Sequence, residues 1–222
     1  MKGIVLGVLS LAVLAAASIA NSAAAVPEIG LSVHAIRPGV TCPVSPDTGF
    51  YKLDRWHVAG GMDYARYGQA QSDQAALSNA FAEWAGPTGI AFNGAAGTGT
   101  AAVELNGENA IFFDSLSNRT IAVTYVWFNQ RTKEVVEFDM VFNSSLSWDN
   151  LSGSGDCVES SSFDVENIAV HEIGHIYGIA HTSPNGANNA QSLYPYAREG
   201  EIYKRSLASG DLAGIAAKYG GN

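Results

Sequence analysis

Eleven residues, 171–181, constrain the fold of this chain more than any other stretch, and they read HEIGHIYGIAH. Histidines four positions apart on an α-helix share one face, so His171 and His175 can reach the same metal ion. Gly178 follows, and glycine tolerates the left-handed backbone found at helix ends. The sequence therefore predicts a helix that ends near Gly178 and a chain reversal that brings His181 to the same ion.

The residue between the first two histidines predicts hydrolytic chemistry. Three neutral imidazoles leave one coordination position of zinc open, which is typical of a catalytic rather than a structural site. Glu172 lies about 100° further around the helix, so it cannot share the ligand direction but can reach a water on the metal. We expect Glu172 to be the general base. His34 and His57 are isolated in the sequence and are interpreted as structural or surface residues.

The N-terminus has the features of a secretory signal peptide. Lys2 precedes an almost wholly apolar run, and the small residues before Val26 fit an A-x-A cleavage site. Cleavage after Ala20 and retention of the run as a membrane anchor are the alternatives. We therefore expect a signal peptide over residues 1–25 and a secreted protein that has left the membrane after cleavage.

Charge and cysteine content narrow the partners and the compartment. The net charge is −9 at pH 7, and no basic run could follow a phosphate backbone, so we expect no binding to nucleic acid. The expected form is a monomer. Cys42 and Cys157 are the only cysteines, and an even count in an exported chain favours one disulfide.

The order of the predicted elements indicates an α+β fold, because strands come first, the later helices cluster at the end, and no βαβ alternation is present. The prolines between residues 26 and 50 predict an extended lead-in of little regularity. β-Branched and aromatic residues predict strands, and helical periodicity predicts helices. The predicted strands cover residues 90–92, 103–105, 110–113, 121–128 and 135–142, and the helices about 72–84, 164–178 and 210–219.

The motif and its surroundings resemble the matrixins, a family of metzincin zinc endopeptidases, and especially compact microbial members. The resemblance covers roughly residues 56–220. Besides the motif it is carried by residues 81–84 (FAEW), by residues 137–143 (EFDMVFN) and by Thr182 directly after the third histidine. It implies a zincin-like catalytic domain over residues 56–222, with a mixed twisted sheet, an active-site helix and a C-terminal helix, after a lead-in over residues 26–55.

The same resemblance implies an activity. The expected function is a zinc-dependent endopeptidase that cuts protein or peptide substrates with a water on one catalytic zinc ion and Glu172 as base. An extended substrate is expected to pair with the strand at residues 121–128. The segment Leu193, Tyr194, Pro195 and Tyr196 is expected to line the substrate pocket. Calcium ions are an additional possibility that the resemblance leaves open.

Two departures from the family pattern leave alternatives. Leu193 stands where metzincins carry a methionine beneath the zinc, which motivates a non-catalytic binding or adhesion protein on the same scaffold. Glu172 argues against that alternative, because a binding module has no need of a general base. A zinc hydrolase that acts on substrates other than peptides is a third hypothesis. Cys42 is favoured to pair with Cys157, but it also loosely resembles the propeptide cysteine that ligates zinc in latent matrixins.

Overall fold

The computed structural model describes residues 27–36, 42, 46–117 and 119–220, and the predicted signal peptide lies outside these residues. No helix in these ranges combines the length and the apolar composition needed to cross a bilayer. The strands are β1 (Glu28–Ile36), β2 (Lys52–Leu53), β3 (Asp63–Arg66), β4 (Asn93–Ala96), β5 (Asn109–Asp114), β6 (Thr120–Phe128), β7 (Val135–Asn143), β8 (Trp148–Asp149), β9 (Phe163–Asp164), β10 (Ile179–Ala180) and β11 (Tyr196–Ala197). The α-helices are α1 (Gln74–Thr88), α2 (Val165–Ile176) and α3 (Ser209–Tyr219).

A seven-stranded sheet is the largest element of the fold, with the order β11-β1-β6-β7-β5-β3-β4. Strand β6 runs antiparallel to both of its neighbours, β1 and β7. The other pairs, including β1 with β11, are parallel. The mixed sheet and the helices confirm the α+β fold class that the sequence predicts.

Helix α2 lies in the interior of the protein. Every residue of α2 except Glu166 is buried, as expected for a helix that is packed on all sides. Trp84 of α1 is fully buried against it and donates a hydrogen bond from Nε1 to the carbonyl oxygen of Val170 at 2.8 Å. At Gly174 a Cβ atom would lie 2.6 Å from the Trp84 ring, so the bare backbone lets the two helices approach. The packing of α1 thereby fixes the position of the motif helix α2.

The helix ends agree with the sequence in part. Asp164 caps α2 at the predicted start of the helix, since its side chain accepts the backbone N–H of Asn167 at 2.8 Å. Helix α1 begins at Gln74, later than predicted, and continues past the predicted end at residue 84 through Pro87 to Thr88. Proline is tolerated in this last turn because Gly89, in the left-handed conformation at φ 69°, closes the helix with a bond to a carbonyl of the preceding turn.

Two short predicted strands are wrong. Residues 90–92 are not a strand, and β4 instead covers Asn93–Ala96, where it pairs in parallel with β3. Residues 103–105 form part of a loop whose backbone N–H groups bind carboxylates of β7. Asp139 accepts from Glu104 at 3.0 Å, and Glu137 accepts from Asn106 at 2.9 Å. Side chains thus satisfy donors that a neighbouring strand would otherwise bind.

The lead-in contains a nine-residue strand, β1, that the sequence analysis missed. Strand β1 pairs with β6 from Glu28 opposite Phe128 to Ala35 opposite Thr120. Consequently β6, which was expected to be open to substrate, is not at the edge of the sheet. Gly30 lets the backbone of β1 lie against the Trp56 ring, because a Cβ atom at this position would lie 2.4 Å from that ring.

Cys42 and Cys157 form the predicted disulfide, with their Cα atoms 6.2 Å apart and 115 positions between them in sequence. The bond joins the lead-in to the loop before α2. In this state the sulfur of Cys42 is bonded to Cys157 and is not a metal ligand.

Replacement of both cysteines by serine is expected to lower the free energy of unfolding by about 4–5 kcal/mol, because the unfolded chain regains the entropy of a long loop. Urea titration under oxidising conditions measures this difference. The wild-type chain in a reducing buffer should match the double variant. An unchanged midpoint in the double variant would contradict the prediction.

Candidate metal centre

Helix α2 places two of the motif histidines, and a glycine places the third. His171 and His175 are one turn apart on α2, and neither is more than 1% exposed. Gly178 then takes a left-handed conformation at φ 75°. A Cβ atom at this position would lie 2.1 Å from the carbonyl oxygen of Trp56. Both the positive φ and this clash therefore exclude a side chain. The short strand β10 follows and brings His181 back to the helix.

The three histidines converge through their Nε2 atoms. The Nε2 atoms of His171 and His181 are 3.0 Å apart, and those of His175 and His171 are 3.3 Å apart. Nitrogen ligands in a tetrahedral zinc site, each about 2.0–2.1 Å from the ion, lie about 3.3 Å from one another. The arrangement therefore has the dimensions of a zinc site.

Backbone carbonyls fix which nitrogen of each helical histidine is free. Nδ1 of His171 lies 2.6 Å from the carbonyl oxygen of Ser192, and Nδ1 of His175 lies 2.9 Å from that of Ile179. A carbonyl oxygen only accepts, so each Nδ1 carries the proton and each Nε2 presents a lone pair. Facing lone pairs repel one another unless a cation lies between them, which supports metal binding by this set.

Burial keeps these imidazoles in the form that a metal requires. Desolvation lowers the pKa of His171 and of His175 well below the ordinary histidine value. It lowers the pKa of His181 to about 4. All three side chains are therefore neutral at pH 7, and a cation need not displace protons to bind.

Glu172 is fully buried beside the histidines and makes one side-chain hydrogen bond. Its Oε2 atom accepts from the Thr124 hydroxyl on β6 at 2.6 Å, whereas its Oε1 atom has no hydrogen-bond partner. Desolvation raises the pKa of Glu172 to about 8. A divalent cation on the histidines would lower this pKa by Coulomb attraction. The free oxygen is the atom available for proton transfer.

His34 of β1 also lies in this site, although the sequence analysis interpreted it as structural or surface. Its ring stacks on His171 with 3.6 Å between centroids. Its Nδ1 atom is 3.6 Å from Oε1 of Glu172, and its Nε2 atom is 3.4 Å from Nζ of Lys204. Thr124, His34 and Lys204 come from three distant segments, and no local sequence signal connects them with the motif.

Two of the four predicted pocket residues, Pro195 and Tyr196, contact β1. The backbone N–H of Ala35 donates to the carbonyl oxygen of Pro195 at 3.1 Å, and Tyr196 pairs with Ala35 in the sheet. Tyr194 is buried and contacts Tyr196 edge-on. The segment therefore borders the strand position that β1 occupies.

Leu193 fills the space beneath the helix. It is fully buried, and its Cδ2 atom lies 2.7 Å from the position that a Cβ atom on Gly174 would take. Its carbonyl oxygen accepts the N–H of Thr182 at 3.0 Å, which links this turn to the residue after the third histidine. Its contribution is packing, because leucine has no metal-ligating atom.

Substitution of Leu193 by methionine is expected to change the free energy of unfolding by less than about 1.5 kcal/mol, because the two side chains have similar volumes. Substitution by alanine is expected to cost about 2–5 kcal/mol through the cavity beneath α2. Chemical denaturation gives both values. A methionine variant that is as unstable as the alanine variant would show that leucine is required for more than volume.

Comparison with known proteins agrees with this geometry. A family model described as matrixin matches residues 55–220. Metalloendoproteinase 1 of Glycine max is 43% identical over 72 residues, which are 31% of this chain and 22% of that protein. Metalloendoproteinase 5-MMP of Arabidopsis thaliana is 44% identical over 59 residues, 27% of this chain and 15% of its own length. The chain thus spans only about a fifth of these relatives, or less.

Among solved structures, one entitled "Structure of myroilysin" aligns with 75% of this chain and 96% of its own. The sequence identity is 14% and the TM-score is 0.42.

Proposed function

Because this chain belongs to the matrixin family, we propose that it is a zinc-dependent endopeptidase acting on extended segments of protein substrates. The observation that carries the proposal is the convergence of three Nε2 lone pairs, two of them with fixed tautomers, beside a buried carboxylate. His171, His175 and His181 would hold the ion, and Glu172 would be the general base. A purely structural zinc site has no use for such a carboxylate.

The chemistry divides between the metal and the chain. Zinc supplies a Lewis acid that polarises a carbonyl group and lowers the pKa of water. Glu172 would accept a proton from the attacking water at Oε1 and deliver it to the leaving amine. The Thr124 hydroxyl holds the other carboxylate oxygen, so Oε1 has no hydrogen-bond partner and faces the His34 side chain at the strand position of β1.

The backbone around the site suits a polypeptide substrate. An extended chain can bind between β6 and β11, antiparallel to the former and parallel to the latter, as β1 does in the structure. Main-chain hydrogen bonds of this kind recognise peptides regardless of sequence. We therefore propose that a substrate takes the strand position of β1 and that Tyr194, Pro195 and Tyr196 border its side chains, while Leu193 packs beneath α2.

We further propose that the protein acts outside the cell, after removal of residues 1–25, with its catalytic unit in residues 56–222. The Cys42–Cys157 disulfide supports this, because such bonds persist in oxidising compartments.

The test uses a severable chain, the full chain with residues 37–40 replaced by the recognition sequence of a site-specific protease. Cutting after folding leaves β1 held only by its strand pairing, while Cys42 and the following residues remain in the main chain with the disulfide intact.

Metal removal is expected to abolish casein hydrolysis by the cut chain, because no group of the protein replaces the Lewis acid. Activity should return on addition of about one zinc ion per chain, measured by titration with zinc after treatment with 1,10-phenanthroline. A cut, zinc-loaded chain that hydrolyses neither casein nor a peptide library would contradict the proposal and favour a binding protein on the same scaffold.

A further inference from the structure

The side chain of His34 fills a small pocket beside the candidate catalytic residues. The buried residues of β1 are Gly30 and His34, and of these only His34 has a side chain that extends from the strand. Its ring is fully buried, stacks on His171 and faces Oε1 of Glu172. A substrate residue at the same strand position would therefore lie next to the scissile bond.

The far end of this pocket is formed by a buried cation, Lys204. Its Nζ atom donates to the carbonyl oxygen of Tyr196 at 2.8 Å and pairs with Oε1 of Glu201 at 3.0 Å. The third direction from Nζ leads to Nε2 of His34 at 3.4 Å. An ammonium group has three donors, so the one that is not used by the scaffold is directed at the pocket.

Lys204 is built into the fold rather than left at the surface. Both Lys204 and Glu201 have fully buried side chains. Asn167 of α2 joins them, since its Nδ2 donates to Glu201 at 3.1 Å and its Oδ1 accepts the backbone N–H of Lys204 at 2.8 Å. The ammonium group is therefore held at a fixed position relative to the motif helix.

We propose that the pocket occupied by His34 is the specificity pocket and that Lys204 selects substrates with a neutral hydrogen-bond acceptor, such as glutamine or asparagine, beside the scissile bond. The inference rests on the proposed peptidase function. An aliphatic side chain would leave a buried N–H of Lys204 without a partner, which is unfavourable. Glutamate gains little, because Glu201 already neutralises Lys204 and Glu172 lies at the other end of the pocket.

Binding of peptides to the cut severable chain tests the pocket without requiring hydrolysis. The probes are fluorescent peptides with the sequence of residues 28–36 that carry glutamine, leucine or glutamate at the position of His34. Fluorescence anisotropy should show the glutamine peptide binding at least ~10-fold more tightly than the other two, a difference of about 1.4 kcal/mol. Glutamine is chosen over histidine because an imidazole can also bind a metal directly.

The matched variant is the double substitution Glu201→Gln/Lys204→Met, which removes both charges. Removal of Lys204 alone would leave Glu201 buried and unpaired at high cost, whereas loss of the whole pair is often tolerated. In the double variant the glutamine and leucine peptides should bind within about 3-fold of each other. If it does not fold, the comparison of peptides on the wild-type pocket still decides the question.

Three results would overturn the proposal: tighter binding of the leucine peptide, tightest binding of the glutamate peptide, or unchanged preference in the folded double variant. A cleavage survey on a peptide library gives the second readout. Cleaved bonds should be flanked by glutamine or asparagine, shifting to leucine or methionine in the double variant. Absence of all cleavage, with the binding preference intact, would contradict the peptidase function and leave the pocket assignment standing.

Discussion

Replacement of Glu172 by glutamine is expected to lower kcat by ~10²–10⁴-fold with no change in zinc content. Glutamine has nearly the same shape and can still accept the hydrogen bond that Thr124 gives to Glu172 at 2.6 Å. It cannot take up a proton, so the attacking water loses its base. The three Nε2 atoms are untouched, and the tautomers of His171 and His175 remain fixed by the carbonyls of Ser192 and Ile179.

The measurement is kcat on a fluorogenic peptide with the cut severable chain, together with zinc content by mass spectrometry. Glu166→Gln is the matched control, since Glu166 lies in the first turn of the same helix and bonds only to Asn79 among the described residues. That control should keep kcat within about 2-fold, because its carboxylate is far from the motif end of α2. Retention of more than about a tenth of kcat by Glu172→Gln would show that another group acts as base.

Cutting the severable chain is expected to raise peptidase activity at least ~10²-fold. While β1 remains attached, its effective concentration at the cleft is of the order of millimolar, and a substrate at about 10 µM competes poorly. The contacts involved are the long pairing with β6 and the two-residue pairing with β11. After cleavage β1 is an ordinary ligand and is diluted away.

Rates before and after cutting, in one sample of the severable chain, measure this effect. The unaltered chain treated with the same site-specific protease is the control and should not change. Addition of a synthetic peptide with the sequence of residues 28–36 should inhibit the cut chain again. Equal rates before and after cutting would show that substrates reach the site with β1 in place.

The parts of the site that the sequence predicts are those set by local geometry. Histidines one turn apart meet on any helix, Gly178 ends that helix, and Asp164 can bind the first free N–H groups without information from elsewhere in the chain. The strands β5, β6 and β7 are predicted for a similar reason, because their β-branched and aromatic residues are buried within one sheet.

The parts that the sequence does not predict depend on contacts between distant segments. Strand β1 inverts the usual pattern, since Ile29, Leu31 and Val33 face outward and are 39–56% exposed. Alternation alone would have placed those side chains inside and His34 outside. Lys204 carries no sign of its burial either, because its partner Glu201 and the carbonyl oxygen of Tyr196 are assembled only by the folded chain.

Strand β1 also protects the protein from self-association. With β1 in place, one side of β6 has its backbone N–H and C=O groups paired along nearly the whole strand. Loss of β1 would expose that row, and an unpaired strand edge is a template for a strand from any neighbouring molecule. The protein without β1 is therefore expected to self-associate as its concentration rises. Substrate peptides that pair with β6 should prevent this self-association.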